Sequence, residues 1–255
     1  MLWYKSWMET RWRFLIGLAM LTCSACVVVF LYPQMAKLIP LASTLEAKGV
    51  LGREIREAGE LARDYRGYVW GQWYRQNLPQ LGTLFAALLG TGGLLSESSG
   101  RGMLFTLSLP ASRKRLLGFR AAVGLAEFLV LAFVPSLFIP LLSPAVGETY
   151  GLGNVLIHSA CQSIAGAVFF SLAFLLSTMF HDLWRPLLIT LSLAAALALF
   201  EQVFRILSPY NIFRVMSAEV YFRTGQLPWL GLLTCAVASA AMLYGATISI
   251  ARHDF

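Results

Sequence analysis

Apolar residues gather along this chain into six long runs: Phe14 to Leu31, Leu78 to Leu95, Ala121 to Leu142, Val155 to Met179, Leu187 to Val203 and Pro228 to Ile250. A helix needs roughly 20 apolar residues to cross the hydrocarbon of a bilayer, fewer where flanking side chains snorkel, so each run predicts a membrane span. The segment after the first run has a different rhythm. Leu51, Ile55, Ala58, Ala62, Tyr65 and Val69 recur at spacings of four and three among charged positions. That period predicts an amphipathic helix over 47–74, outside the bilayer and lying on the membrane or on the bundle. It ends in Tyr68, Trp70, Trp73 and Tyr74, placed to form an aromatic belt before the second span. Residues 1–13 mix Trp3, Tyr4, Trp7 and Trp12 with Lys5, Arg11 and Arg13, which predicts an interfacial helix anchored by aromatic rings and by anionic lipid. The fold class is therefore all-α: one polytopic transmembrane domain over 1–255, with six spans, an N-terminal interfacial helix and an external helix between spans 1 and 2.

Composition narrows the function classes. A soluble domain is about 45–50% apolar and about a quarter charged, whereas this chain of 255 residues is 58% apolar and 13% charged. Of its 20 Lys and Arg and 13 Asp and Glu residues, only Glu127 and Glu201 fall inside the six runs. That excludes a disordered tail, a collagenous repeat and a disulfide-stapled secreted domain. The four cysteines, Cys23, Cys26, Cys161 and Cys235, all sit in apolar runs and read as small hydrophobes. Cys23 and Cys26 have C-x-x-C spacing but no second ligand pair, so no metal site is expected. The net charge of +7 comes from basic residues that flank spans, a pattern that points to lipid and not to nucleic acid.

Counting Lys and Arg on the two sides of a six-span chain gives a tie. Seven of the outer ones, however, lie in the long segment between spans 1 and 2, and long segments translocate with little regard to charge. Setting that segment aside leaves 10 against 3 and places both termini in the cytoplasm of a multi-pass cell-membrane protein.

Candidate chemistry is sparse. An intramembrane acid is a functional-site hypothesis, because a charge in hydrocarbon costs about 2.5–3.5 kcal/mol even on the lenient insertion scale. Glu127, two turns beyond Arg120, is a candidate for a substrate path or an interhelix hydrogen bond. Glu201 has Arg205 four residues on and suits a helix end. Neither an H-E-x-x-H nor a G-x-S-x-G sequence is present, and Glu201-Gln-Val-Phe-Arg205 matches only a fragment of the motif of intramembrane CAAX-type proteases, so no catalytic residues are assigned. No phosphate-cradling G-x-x-x-x-G-K-[ST] loop is present, so the chain has no ATPase site of its own. Packing is better specified. Gly82, Ala86 and Gly90, then Ser159, Ser163, Ala167 and Ser171, then Gly231, Cys235 and Ser239, put small residues on single helix faces that allow close contacts within the bundle or between copies. Pro135 and Pro140 are expected to bend the third span.

The stretch from Leu94 to Arg115, LLSESSGRGMLFTLSLPASRKR, resembles the cytoplasmic segment of type-2 ABC exporter permeases. In that family an acidic residue and a Gly follow the second span, and a Leu-rich stretch ends in L-x-L-P-x-S-R before the third. Glu97, Leu107, Leu109, Pro110, Ser112 and Arg113 match in order and spacing, while Gly100 and Gly102 stand on either side of Arg101 near the place of the family glycine. The opening Trp3-Tyr-Lys-Ser-Trp-Met-Glu-Thr-Arg11 is similar to the Lys-x-Trp-x-Glu-x-x-Arg start of such permeases, with spacing that differs by a residue. Ala251-Arg-His-Asp-Phe is similar to their short basic tails. The resemblance implies a coupling loop over 96–115, with Glu97, Gly100, Arg101, Gly102 and the apolar Met103, Leu104, Phe105, Leu107 and Leu109 facing a separate ATPase subunit that binds ATP and Mg. It also implies a second permease copy or a sister permease, and alternating access as the mechanism. It leaves the exported molecule open. The alternative is a non-transporting scaffold or sensor subunit that anchors a partner at the bilayer.

Overall fold

The computed structural model describes residues 2–44, 59–61, 63–91, 113–180, 182–203 and 211–252; among them the chain is helical and contains no β-strand. Helix α1 (Leu2–Thr44) runs unbroken from the aromatic-rich start through the first apolar run, so the boundary expected at residue 13 is not a break in the helix. Next come α2 (Tyr65–Val69), a π-helical segment (Trp70–Asn77) and α3 (Leu78–Gly90), which follow one another without interruption. Helix α4 (Arg113–Leu142) closes in a 3-10 turn, Ser143–Val146, and Gly147 reverses the chain in the left-handed region at φ 78°. Helices α5 (Leu152–Ser177), α6 (Trp184–Val203), α7 (Ile212–Met216), α8 (Glu219–Thr224) and α9 (Trp229–Arg252) complete the order.

Four stretches among the described residues are long and apolar enough to cross a membrane: Ser6–Lys37, Arg115–Val146, Leu152–Ser177 and Trp229–Ser249. Trp184–Leu199 is apolar but shorter, and the second of the six apolar runs begins in α3, which is 13 residues long. Large apolar side chains are exposed on the outer helix faces, for example Leu15, Met20 and Phe30 on α1, Leu188 and Leu193 on α6, and Leu230, Leu233 and Val237 on α9. Such faces are compatible with lipid as the surrounding solvent.

Helix α5 is the centre of the bundle and packs against α3, α4, α6, α7 and α9, while α1 lies along α4. The crossing with α3 is tight because Gly90 has no side chain. A Cβ there would meet the Phe170 carbonyl oxygen at 2.5 Å and the Ala173 Cβ at 2.9 Å. Phe169, Phe170 and Phe174 fill the space around this contact and are buried. Helix α4 continues through Pro135 and Pro140. Ser136 and Ser143, beside and beyond them, each donate to the carbonyl four residues back, Ala132 O at 2.8 Å and Ile139 O at 2.6 Å.

The segment between α1 and α3 departs from its sequence pattern. Residues 59–61 are helical, but the chain turns at Arg63 and Asp64, where Asp64 is extended, before α2 begins. Positions 47–58 and 62 of the expected amphipathic helix lie outside the described residues. The aromatic residues expected in a membrane-surface belt are inside the bundle: Trp70, Trp73 and Tyr74 are fully buried. Trp70 stacks on Phe222 of α8 with centroids 4.3 Å apart, and its indole N–H donates to Ser217 O at 3.0 Å. The guanidinium groups of Arg66 and Arg75 flank this stack, each 5.7 Å from a ring centre. Trp73 donates to Ser136 Oγ at 3.1 Å. The Ser136 proton is already committed to Ala132 O, so its oxygen is free to accept.

Candidate functional site

Three of the chain's elements meet at the end of the bundle from which residues 92–112 depart and to which they return. They are the first turns of α1, the last turn of α3 and the first turns of α4. Helix α3 ends because Thr91 is extended, and the last carbonyls of a helix then lack intrahelical donors. Arg13, on α1, supplies them: its Nη1 donates to Leu88 O at 2.9 Å and to Thr91 O at 2.8 Å. The Thr91 hydroxyl also donates to Leu88 O, at 2.9 Å. A cation at a helix C-terminus is favoured by the macrodipole as well as by these bonds. Arg13 thus holds the point where residues 92–112 begin.

The returning end is held from the same helix. Glu9 pairs with Arg120 of α4 at 3.2 Å, and Trp3 packs edge-on against Phe119 with centroids 5.4 Å apart. Two turns further along α4, Glu127 Oε1 accepts from the Thr10 hydroxyl at 2.7 Å. Thr10 Oγ1 is also within 3.2 Å of Ser6 O, so the hydroxyl has an acceptor on its own helix and another across the interface. Glu127 is only 5% exposed, and its Oε2 has no hydrogen-bond partner within the protein. Its carboxyl group is therefore a tie between α1 and α4 through one oxygen, with the second oxygen uncommitted.

Of the residues singled out in the sequence, Glu97, Gly100, Arg101, Gly102, Met103, Leu104, Phe105, Leu107, Leu109, Pro110 and Ser112 lie outside the described residues. Arg113 is the first residue of α4. Glu127 is placed as above, and Glu201 is on α6. Sequence reasoning missed the partners. Thr10 carries no periodic signal, and Arg13 reads as a headgroup anchor because cations before a span usually serve that end. The only hint was Glu9 in the opening motif. Cys23, Cys26, Cys161 and Cys235 are free thiols, and among the described residues no three His, Cys, Asp or Glu side chains are grouped to hold a metal ion.

The opposite end of the bundle is aromatic. Nineteen residues of α1 separate Arg13 from Tyr32, about 28 Å at the α-helical rise, close to the thickness of bilayer hydrocarbon. Tyr32 packs against Tyr65 and Tyr68 with centroids 4.8 and 5.1 Å apart. Tyr65 donates to Ser143 Oγ at 2.7 Å, the serine proton being used on Ile139 O. Tyr150, in the loop before α5, has its phenol pushed above the ordinary value by burial, which Arg66 partly opposes, so it stays a neutral hydroxyl. No family model matches the chain, and neither a curated protein nor a solved structure matches it.

Proposed function

We propose that the chain is the membrane-spanning permease subunit of an ATP-driven exporter of the type-2 ABC kind. It crosses the membrane six times, with both termini and residues 92–112 on the cytoplasmic side. It works beside a second permease, either another copy or a sister chain, and ATPase partners supply the ATP and Mg chemistry. The single observation that supports this reading is the double hold on residues 92–112: Arg13 grips their departure from α3, and Glu9 and Thr10 grip their return into α4. A segment tied at both ends to one long helix passes displacement on to that helix. A push from a partner on Glu97, Phe105 and their neighbours would then be carried along α1 to the far end of the bundle. That is what a two-state bundle driven between inward and outward openings requires. In this reading Glu127 Oε1 belongs to the coupling machinery, and Oε2 is the atom that a transported molecule would meet.

The test is reconstitution with the co-purifying ATPase. The wild-type chain is expected to retain an ATPase subunit through purification and to stimulate its hydrolysis. Glu97→Ala combined with Phe105→Ala is expected to remove at least most of that stimulation. Full stimulation and transport in the double variant, or no ATPase bound to the wild type, would refute the assignment.

A further inference from the structure

The interface of the π-helical segment and α3 with α5 is more polar than any apolar bundle needs. Tyr74, Leu78 and Gly82 follow one another at four-residue spacing, and His158 and Gln162, also four apart, lie against them. The rings of Tyr74 and His158 are 4.5 Å apart, and Gln162 Nε2 donates to Leu78 O at 3.3 Å. At position 82 only glycine leaves room for that amide, since a Cβ would stand 2.5 Å from Gln162 Nε2. Tyr150 stands where α5 begins, its ring 6.3 Å from that of Tyr74. Tyr74, His158 and Gln162 are fully buried and Tyr150 is 7% exposed. Yet the hydroxyls of Tyr74 and Tyr150, His158 Nε2 and Gln162 Oε1 have no hydrogen-bond partner within the protein. The Ser136 hydroxyl beside Tyr74 is engaged with Ala132 and Trp73.

The bonds that are made fix what the others can do. His158 Nδ1 is 2.7 Å from Asn154 O, and a carbonyl only accepts, so Nδ1 carries the hydrogen and Nε2 of the neutral ring presents a lone pair. Gln162 donates through its nitrogen to a carbonyl, so its buried oxygen is left as an acceptor. Two acceptors and two hydroxyls therefore share one buried interface. Left dry, each unsatisfied group costs about 1–3 kcal/mol, and four together rival the whole stability of a domain. Native interiors meet such groups with internal water, each molecule making about three bonds.

We propose that this interface is a hydrated crevice. Bound water donates to His158 Nε2 and Gln162 Oε1 and bridges to the two phenols, and it enters from the 147–151 loop to about 15 Å along α5. The occupant is water because His158 Nε2 and Gln162 Oε1 are buried acceptors for which the protein supplies no donor, and a water molecule can donate to both and still accept from a phenol. The crevice gives the bundle a polar interior whether or not the chain is an exporter.

The experiment uses the full chain in lipid nanodiscs, labelled with 15N-histidine and carrying His181→Gln and His253→Gln so that His158 alone reports. The expected result is a neutral ring with hydrogen on Nδ1, an Nε2 resonance shifted as for a hydrogen-bonded acceptor, and magnetisation transfer from water to the ring. Gln162→Leu, or Tyr150→Phe should the first variant fail to fold, is expected to cut that transfer at least twofold. No transfer in the parent, hydrogen on Nε2, or transfer unchanged in the folded variants would each overturn the proposal.

Discussion

The two ends of the bundle solve the same problem, polar groups buried between apolar helices, in opposite ways. At the end that carries residues 92–112, the bridges between helices are ion pairs and hydrogen bonds: Arg13 to the end of α3, Glu9 to Arg120, Thr10 to Glu127. At the other end tyrosines, tryptophans and a histidine pack ring against ring, and several of their polar atoms are unmatched by the protein. Directional, charge-assisted bonds fix helices relative to one another, whereas stacked rings with spare polar atoms tolerate small shifts. The first end therefore holds its helices in fixed register, whereas the packing at the second leaves them more freedom to adjust.

That contrast breaks most visibly at Arg13. Arg13→Met removes the donor to Thr91 O and leaves Leu88 O with the Thr91 hydroxyl alone, with an expected loss of about 2–3 kcal/mol in denaturant unfolding of the detergent-solubilised protein. The unfolding midpoint of Arg13→Lys should fall between the two, because a lysine keeps the charge but not the geometry that serves two carbonyls.

A subtler change separates pairing from polarity. Thr10→Val strands Glu127 and is expected to cost about 1–2 kcal/mol, whereas Thr10→Val with Glu127→Leu should recover more than half of that loss. A double variant no more stable than Thr10→Val alone would show that the loss does not come from stranding Glu127.

The smallest effect is expected at the aromatic end. Tyr65→Phe removes a hydrogen bond to Ser143 and is expected to cost about 1 kcal/mol, while Tyr150→Phe removes a hydroxyl with no protein partner and should fall within about 0.5 kcal/mol of the parent. Equal losses at both positions would erase the distinction between matched and unmatched tyrosines.

Much of the fold was legible because span length and apolar content are local properties. The runs around residues 14–31, 121–142, 155–179 and 228–250 each lie in a helix long enough to cross a membrane, and Gly90 announced a close contact that exists. What stayed hidden depends on partners far away in sequence. Trp70, Trp73 and Tyr74 have the composition of an interfacial belt, and only the presence of Ser217, Phe222 and Ser136 draws them inward. The three-four period across Ala62 and Tyr65 continues through a turn, because Asp64 leaves the helical region without disturbing the hydrophobic pattern. Glu127 stood out as an acid in an apolar run, but its partner lies 117 residues earlier on a helix whose polar residues all suggested headgroups.

In the proposed function, the end that carries residues 92–112 faces the cytoplasm, where an ATPase partner would meet it. With the four native cysteines replaced by alanine, a single cysteine introduced as Ser98→Cys or as Thr149→Cys reports the two ends to a membrane-impermeant maleimide. Residue 98 is expected to be labelled in inverted vesicles and protected in intact cells, and residue 149, exposed in the loop before α5, to show the reverse. Labelling of residue 98 in intact cells would contradict it, because no cytoplasmic ATPase could then reach the segment.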